Sequence, residues 1–542
     1  MKITLVKLLY LWYNLCMENE VTMDSLMVEN AALRAEVAEL SQKLSWLMEQ
    51  ISSSRRRLYG QSSEKGAYSA IQPALFGDGL GEPIAHDIAQ PASSPPATKG
   101  RPVKRGEMST RLPDSLPVET VECTLPEDGR GCPTCGTGMH EIGKEVVRRE
   151  LKIIPAKAVI TEFVRSAYGC RECEENEETP TIVKAPMPPQ LIKGSMCSAE
   201  TLAHIAVQKC VMGVPLYRQE QDWKRNGIPI ARQTMASWLI RCSQDYLEPI
   251  YAELHRLLLR HKFLHSDETS IQVLKEPGKS PQSKSSMWVY RTSGDARHPI
   301  VFYDYQPDKK KERPQDFLRG FEGFLMTDGY SAYHSLPESI IVVGCFAHCR
   351  RYFENALKCM KEKDRPGSLA SEGMAFCDKL FAIERETKDK TIGERHAVRN
   401  RESALVLGEF RTWLDRARPH VAPKSKLGTA INYALNQWEY LTRFLLDGRI
   451  ELSNNRCERS VKPFVINRKN FLFADTVEGA RSTAIYHTLT ETAKENGLNP
   501  FAFLTHVLRA AAAGNVGNDP GLVTALLPEN APGECKALLP KS

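Results

Sequence analysis

Asp267, Asp328 and Glu458 are the residues of this chain best suited to do chemistry. Asp267 closes the strand-like run Phe263-Leu264-His265-Ser266-Asp267, and Asp328 closes a second, Gly323-Phe324-Leu325-Met326-Thr327-Asp328. Glu458 lies in a helix-like run that begins at Asn454-Asn455. A carboxylate at the tip of an apolar strand costs free energy unless a cation accompanies it. Three that converge could hold two divalent ions, and oxygen ligands suit Mg2+ or Mn2+. Paired ions of this kind serve the cutting and joining of phosphodiesters. Each acid also has a plainer account. Glu268 follows Asp267 on the opposite face of a strand, so two acids compete for the role. Asp328 precedes Gly329, as turn aspartates do. Glu458 follows Asn455-Arg456-Cys457 and fits the third position of a capping box.

The elements that must position these acids follow from periodicity. Strand-like runs at Phe263–Ser266, Met287–Arg291 and Pro299–Tyr303 are followed by a short helix over Pro314–Arg319. Strand Gly323–Thr327, helix Ser331–Leu336, strand Ser339–Gly344 and helix Ala347–Met360 come next. This order predicts an α/β core with the first Asp on strand one and the second at the end of strand four. Residues 361–450 read as helices and form an insertion ahead of Glu458. A polyanionic substrate calls for cations, and Arg456, Arg459, Lys462, Arg468 and Lys469 cluster around Glu458. Lys462 shares a helix face with Glu458, where it contacts a phosphate or simply pairs with the acid. Cys345-Phe346-Ala347-His348-Cys349-Arg350-Arg351 places His348, Arg350 and Arg351 near the acids, within reach of DNA. Its two thiols and one His invite a metal reading, but no second ligand pair is evident.

The 542 residues exceed what one core supports, so several units are expected. Hydrophobic residues make up 42% and charged residues 25%, an ordinary soluble composition that argues against a disordered chain. A net charge of only +6 means that a nucleic-acid surface must be local. Fifteen cysteines, an odd number in a long chain, fit thiols or zinc better than a disulfide framework. The first sixteen residues are apolar but too short to span a bilayer, and no small-residue cleavage site follows. They are expected to reflect an upstream start-codon assignment, with Met17 beginning the chain proper.

Leu26, Leu33, Leu40 and Leu47 alternate with Met23, Asn30, Val37, Leu44 and Ile51 in heptads, which predicts a coiled coil. Asn30 would fix a parallel dimer in register. Arg55, Arg56 and Arg57 at its exit could sit on phosphates. Residues 66–117, rich in Pro, Ala, Gly and Ser, read as a flexible linker. Within it, Lys99-Gly100-Arg101-Pro102 is a short basic hook of the minor-groove kind. Cys132 and Cys135, with Cys170 and Cys173, form two CxxC turns, the ligand set of one structural Zn2+. Alternating runs between them, Val146–Ile154 and Val159–Tyr168, predict a ribbon. Over residues 198–245 the pattern is helix, Gly227 turn, helix, with Arg232, Gln233 and Thr234 at the start of the second helix, where side chains could reach base edges.

On these segments the chain resembles transposases of the insertion sequence 66 family. The likeness rests on the run from Arg57 to Lys65, the two CxxC pairs, Val214–Glu220, Asp267-Glu268-Thr269, Thr327–Tyr330 and Cys345–Arg351. It rests most of all on Leu452–Arg459, running on to Asn467-Arg468-Lys469-Asn470 and Leu472-Phe473, and it closes on Glu491–Pro500. The resemblance implies a DDE transposase with a ribonuclease-H-like catalytic core, a helical insertion, a leucine zipper and a zinc-binding unit. It implies Asp267, Asp328 and Glu458 as the triad, two Mg2+ or Mn2+ ions, and terminal inverted repeats and target DNA as substrates. Expected partners are DNA, a second copy through the coiled coil, and small accessory proteins of the same element, with no membrane. The expected location is cytoplasmic, on the nucleoid when DNA is bound. The expected units are an extension at 1–22, zipper and basic exit at 23–65, linker at 66–117, zinc unit at 118–190 and helix-turn-helix-like unit at 191–258. Then follow the core at 259–360, the insertion at 361–450, the Glu458 part of the core at 451–495 and a C-terminal domain at 496–542.

Overall fold

The computed structural model describes residues 30–34, 37, 158–169 and 182–537. They belong to two compact units, a smaller one over Ser63–Met187 and a larger one that includes Pro188–Ala537. Residues 30–34 and 37 are helical. The rest of the coiled coil, Arg55, Arg56, Arg57, the linker, and Cys132, Cys135, Cys170 and Cys173 lie outside the described residues. No described helix is long and apolar enough to cross a membrane.

In the smaller unit, β1 (Ala167–Gly169) pairs antiparallel with β2 (Ile182–Lys184), Tyr168 facing Val183. The strand expected over Val159–Tyr168 is cut down to its last residues. Residues 158–166 have no strand conformation, and Val159, Ile160 and Val164 are exposed. Alternation alone does not make a strand: the backbone needs a partner ladder and the apolar side chains a surface to cover.

From Pro188 the larger unit runs through four helices: α1 (Ala199–Cys210), α2 (Leu216–Arg225), α3 (Arg232–Cys242) and, after a π turn, α4 (Glu248–Leu258). The Ser198 hydroxyl caps α1 by accepting the Thr201 N–H at 3.2 Å. Gly227, at φ +77°, makes the turn between α2 and α3.

A mixed sheet follows. β3 (Phe263–Lys275), β4 (Lys284–Thr292) and β5 (Val301–Gln306) form an antiparallel meander. After α5 (Glu312–Phe317), β6 (Gly323–Thr327) runs parallel to β3, and β7 (Ile340–Gly344) runs parallel to β6. The strand order is β5-β4-β3-β6-β7. α6 (Phe346–Lys358) leaves the sheet for the helical segment α7 (Leu369–Glu386), α8 (Ile392–Val398), α9 (Ala404–Ala417), α10 (Lys426–Asn436) and α11 (Trp438–Thr442). α12 (Asn455–Phe471) returns to the sheet, and β8 (Ala474–Thr476) joins the far end of β3. α13 (Val477–Glu495), α14 (Pro500–Ala513) and α15 (Pro520–Ala525) complete the unit.

Asp267 does not end its strand. β3 continues to Lys275 because β4 goes on pairing with it, from Asp267↔Val289 to Gln272↔Lys284. Ile271 and Val273 are buried against Val461 and Phe464 of α12. The polar run Asp267-Glu268-Thr269-Ser270 has little strand preference of its own; cross-strand pairing and burial override it.

Both faces of the sheet are covered. Leu264, Trp288, Tyr290 and Phe302 share a core with Leu202, Met235 and Ile250 of the leading helices and with Leu489 and Leu504 near the C-terminus. The helix-turn-helix-like segment and the C-terminal helices are therefore built into the sheet's own core. On the other face, Phe263, Met326 and Val343 meet Phe353, Phe410 and Trp413 from α6 and the helical segment.

Candidate active site

The parallel register of β3 and β6 brings the two aspartates together. The last parallel pair is His265↔Met326, two residues short of each aspartate, and the Asp328 charge acts on Asp267. Neighbouring strands lie about 4.8 Å apart. Asp328 follows β6 directly, and Gly329 turns the chain at φ +94°. The Asp328 carboxylate accepts the Tyr330 N–H at 2.9 Å, and the Tyr433 hydroxyl donates to the Asp328 carbonyl at 3.0 Å. The turn role read from the sequence is thus real, and it orients the aspartate.

Glu458 arrives on α12 by a different route from the expected cap. The helix starts after Asn454, whose side chain makes no capping bond, so Glu458 is its fourth residue and no capping box forms. Asn454 is instead fully buried and fastens the helix start to β3. Its Nδ2 donates to the Ser266 carbonyl at 2.8 Å, and its Oδ1 accepts from His265 Nδ1 at 3.1 Å. Its own N–H reaches the Cys345 sulfur at 3.1 Å, while the Phe346 N–H donates to the Leu452 carbonyl at 3.1 Å. The starts of α6 and α12 are thereby tied to each other and to the strand that carries Asp267. Sequence reasoning missed Asn454 as a site residue; its only signal was its place in the Leu452–Arg459 segment.

The electrostatics record the convergence. Burial, then the charges of Glu268, Asp328 and Glu458, push the Asp267 carboxyl well above the usual carboxylate range. Among the described residues no lysine or arginine pairs with Asp267 or Asp328. Glu268, the alternative acid, points to the other face of β3. There Lys309 Nζ lies 3.2 Å away and the Tyr333 hydroxyl donates at 3.2 Å. Burial and Asp328 raise its carboxyl too, against the pull of Lys309.

The Cys345–Arg351 motif stands over Glu458. Arg351 Nη2 lies 3.2 Å from Glu458 Oε2, and His348 Nδ1 lies 3.8 Å from Glu458 Oε1. Arg351 also reaches His348 Nε2 at 3.3 Å. The sulfur of Cys345, a ring nitrogen of His348 and a carboxylate oxygen of Glu458 all lie within 4.8 Å of one another. The metal reading of the two thiols changes accordingly. Cys349 turns away to Cys377, sulfur to sulfur at 3.9 Å, and the third donor comes from Glu458, far along the chain. Burial raises the Cys345 thiol to about 12, so it is neutral without a cation beside it.

The basic residues divide by partner. Arg350 is engaged by Asp378 at 2.6 Å, and Arg456 by Glu451 at 2.6 Å. Arg468 hydrogen-bonds the carbonyl and hydroxyl of Ser270. Arg459, Lys462 and Lys469 are exposed and pair with no described residue; Lys462 forms no bridge to Glu458. Arg232 and Gln233 are exposed at the start of α3, where the Arg232 N–H meets Glu220 at 3.0 Å and its guanidinium lies over the Tyr217 ring. Two aspartates with no described lysine or arginine paired to them, beside exposed lysines and an arginine that pair with no described residue, fit divalent ions and a polyanion.

Comparison with known proteins gives four matches along the chain. "Transposase IS66 family" covers residues 194–482, and "zinc-finger binding domain of transposase IS66" covers 130–174. "Transposase C of IS166 homeodomain", a leucine-zipper family, covers 46–121, and "IS66 C-terminal element" covers 488–528. Two uncharacterized proteins of Sinorhizobium fredii are similar over most of their length. One, y4jD, is 30% identical over 89% of this chain and 94% of its own. The other, y4qI, is 32% identical over 76% of this chain and 75% of its own. A chain of the Drosophila P element transposase strand transfer complex aligns over 54% of this chain and 92% of its own, at 13% identity and a TM-score of 0.29, too distant to carry an argument. With one family description spanning residues 194–482, the acids and the helix that carries Glu458 included, the chain belongs to the IS66 family of transposases.

Proposed function

We propose that this transposase cuts DNA at the terminal inverted repeats of its element and joins the freed ends to target DNA, with Asp267, Asp328 and Glu458 as its catalytic acids. One observation carries the reading: the carboxyl of Asp267 is forced up by burial and by Glu268, Asp328 and Glu458 together, with no described basic side chain paired to either aspartate. The meander of three antiparallel strands followed by two parallel ones supports a ribonuclease-H-like core.

Asp267, Asp328 and Glu458 would hold Mg2+ or Mn2+, which when bound activates the attacking oxygen and steadies the leaving one. The protein's own residues do the positioning. Asn454 locks the start of α12 to β3, so Glu458 cannot drift from the aspartates. Arg351 and His348 hold the Glu458 carboxylate from the side of α6. Arg459, Lys462 and Lys469 offer free cations to backbone phosphates along α12. Arg232 and Gln233 sit where the second helix of a helix-turn-helix reaches base edges. Cys132, Cys135, Cys170 and Cys173 fall inside the zinc-finger match and would hold one structural Zn2+. The leucine heptads would join two copies, so that both ends of an element are handled together.

The test is cleavage of duplexes copied from the DNA flanking the gene, with and without Mg2+. Asp267→Asn, Asp328→Asn and Glu458→Gln should each abolish cutting while end binding persists. Cleavage retained by any of the three would overturn the assignment.

A further inference from the structure

The end of α12 carries a feature that the acids do not explain. Leu472 has φ +68° and ψ −54°, and the Phe473 N–H donates to the Phe471 carbonyl at 2.9 Å. That is a γ-turn of the strained, positive-φ kind, and Leu472 is the sole non-glycine residue at positive φ among the described residues. A branched side chain in such a turn persists where its surroundings over-determine it. They do here. Asn467 donates to the Cys210 carbonyl at 2.6 Å and Asn470 to the Gly213 carbonyl at 2.9 Å. Arg468 is fixed on Ser270, and Ala474 enters β8 beside Val273.

This anchoring holds two apolar side chains in solvent: Leu472 is 64% exposed and Phe473 42%. They follow a row of exposed side chains on α12. Arg459, Lys462, Ile466 and Lys469 are all exposed and recur at helical spacing, leading from beside Glu458 to the turn. The buried Asn467 and the half-buried Arg468 and Asn470 grip the fold, while Ile466 and Lys469 of the same segment stay exposed.

We propose that Leu472 and Phe473 form an apolar wedge that enters a base step of the duplex lying along α12, while Arg459, Lys462 and Lys469 hold its phosphates. This rests on the DNA-cutting reading above and adds a contact to the bases. The occupant follows from charge and shape. Three unpaired cations suit a polyanion, and exposed leucine and phenylalanine beside them suit the faces of unstacked bases. The geometry also places the contact. At about 1.5 Å of rise per residue, Leu472 lies about 21 Å along the helix from Glu458. With base pairs about 3.4 Å apart, the wedge meets the duplex about six base pairs from the cleaved bond.

The experiment uses the full chain, with Ca2+ replacing Mg2+ to hold off cutting. Duplexes copied from the gene's flanking DNA carry 2-aminopurine at successive positions around the junction. Wild type should brighten one or two adjacent positions about six base pairs from the junction, as the probe unstacks. Leu472→Gly, which suits the positive φ, and Phe473→Ser should each lose the signal and bind about tenfold more weakly. Lys469→Gln should lower affinity and its salt dependence yet keep the signal. Equal brightening in wild type and both wedge variants, or no bright position while wild type binds, would overturn the wedge alone. A wild-type chain that neither binds nor cuts these ends would overturn the parent reading and the wedge with it.

Discussion

Replacing Asn454 with alanine should injure both the fold and the proposed chemistry. The side chain is completely buried and makes two bonds, to His265 at 3.1 Å and to the Ser266 carbonyl at 2.8 Å. Alanine leaves a ring N–H and a carbonyl in a dry interior, each costing about 1–3 kcal/mol. The two together come to about 2–6 kcal/mol, a large share of the ~5–15 kcal/mol that holds a typical domain. Burial already keeps His265 below its usual imidazole range, so it stays neutral and its stranded donor has no charge to be rescued by Glu451. The same loss frees the start of α12, and a shift of about 1 Å in a catalytic group can cost about 10²-fold in rate. Urea unfolding followed by circular dichroism reads the first effect, and the rate of Mg2+-dependent end cleavage reads the second. Asn454→Asp keeps the acceptor for His265 but sets a carboxylate oxygen against the Ser266 carbonyl, so it should be no better than alanine at neutral pH. A midpoint shift worth less than about 0.5 kcal/mol for Asn454→Ala, together with undiminished cleavage, would refute the claim that this residue locks the site.

Asp267 binds more protons folded than unfolded, because burial and its neighbours raise its carboxyl; it should therefore erode stability as pH climbs above the carboxylate range. Asp267→Asn should raise the thermal midpoint of the metal-free protein at pH 7 and flatten that slope. Mg2+ at ten times its Kd should stabilise wild type by about 1.4 kcal/mol and leave Asp267→Asn unmoved, as differential scanning fluorimetry can show. His487 is fully buried against the Tyr303 and Phe464 rings, and neither of its ring nitrogens has a hydrogen-bond partner among the described residues. Burial, with Lys209 and Lys494 nearby, lowers it to about 3, so stability should fall as pH drops from the imidazole range toward that value. His487→Phe should remove this acid loss and add about 1–2 kcal/mol at neutral pH. Arg291, 2% exposed, donates to Ser460 at 2.6 Å and pairs with Glu495 at 2.8 Å. Arg291→Met should cost about 2–3 kcal/mol in urea unfolding, below the usual loss for a broken buried pair, because Glu495 keeps 38% of its side-chain exposure.

The strands around the acids were legible from their apolar runs. β6 and β7 fall within a residue of the boundaries read from the sequence, because each is a short buried run closed by turn residues. α2 stops at Arg225, just short of the turn expected at Gly227, since positive φ at that glycine ends a helix whatever its surroundings. The second half of β3 was not legible. Its polar residues look like a turn, and only the ladder to β4 and the α12 side chains above it make them strand. The alternating run at Val159 failed the other way, with the right pattern and no strand partner among the described residues. Arg351 looked like another DNA-facing cation, and its contact with Glu458 joins segments that no local pattern connects.

The sequence by itself determined where the apolar strands and the helices around the acids begin, and that the chain carries a family's motifs in order. Side-chain period and turn chemistry are local, so they survive in one dimension. The tertiary structure alone decided that a parallel register brings Asp267 and Asp328 together, and that Asn454 serves β3 rather than its own helix. It alone decided which cations are already taken and which stand free. Those outcomes depend on distances between residues far apart in the chain, and on which polar groups find a partner once water is excluded.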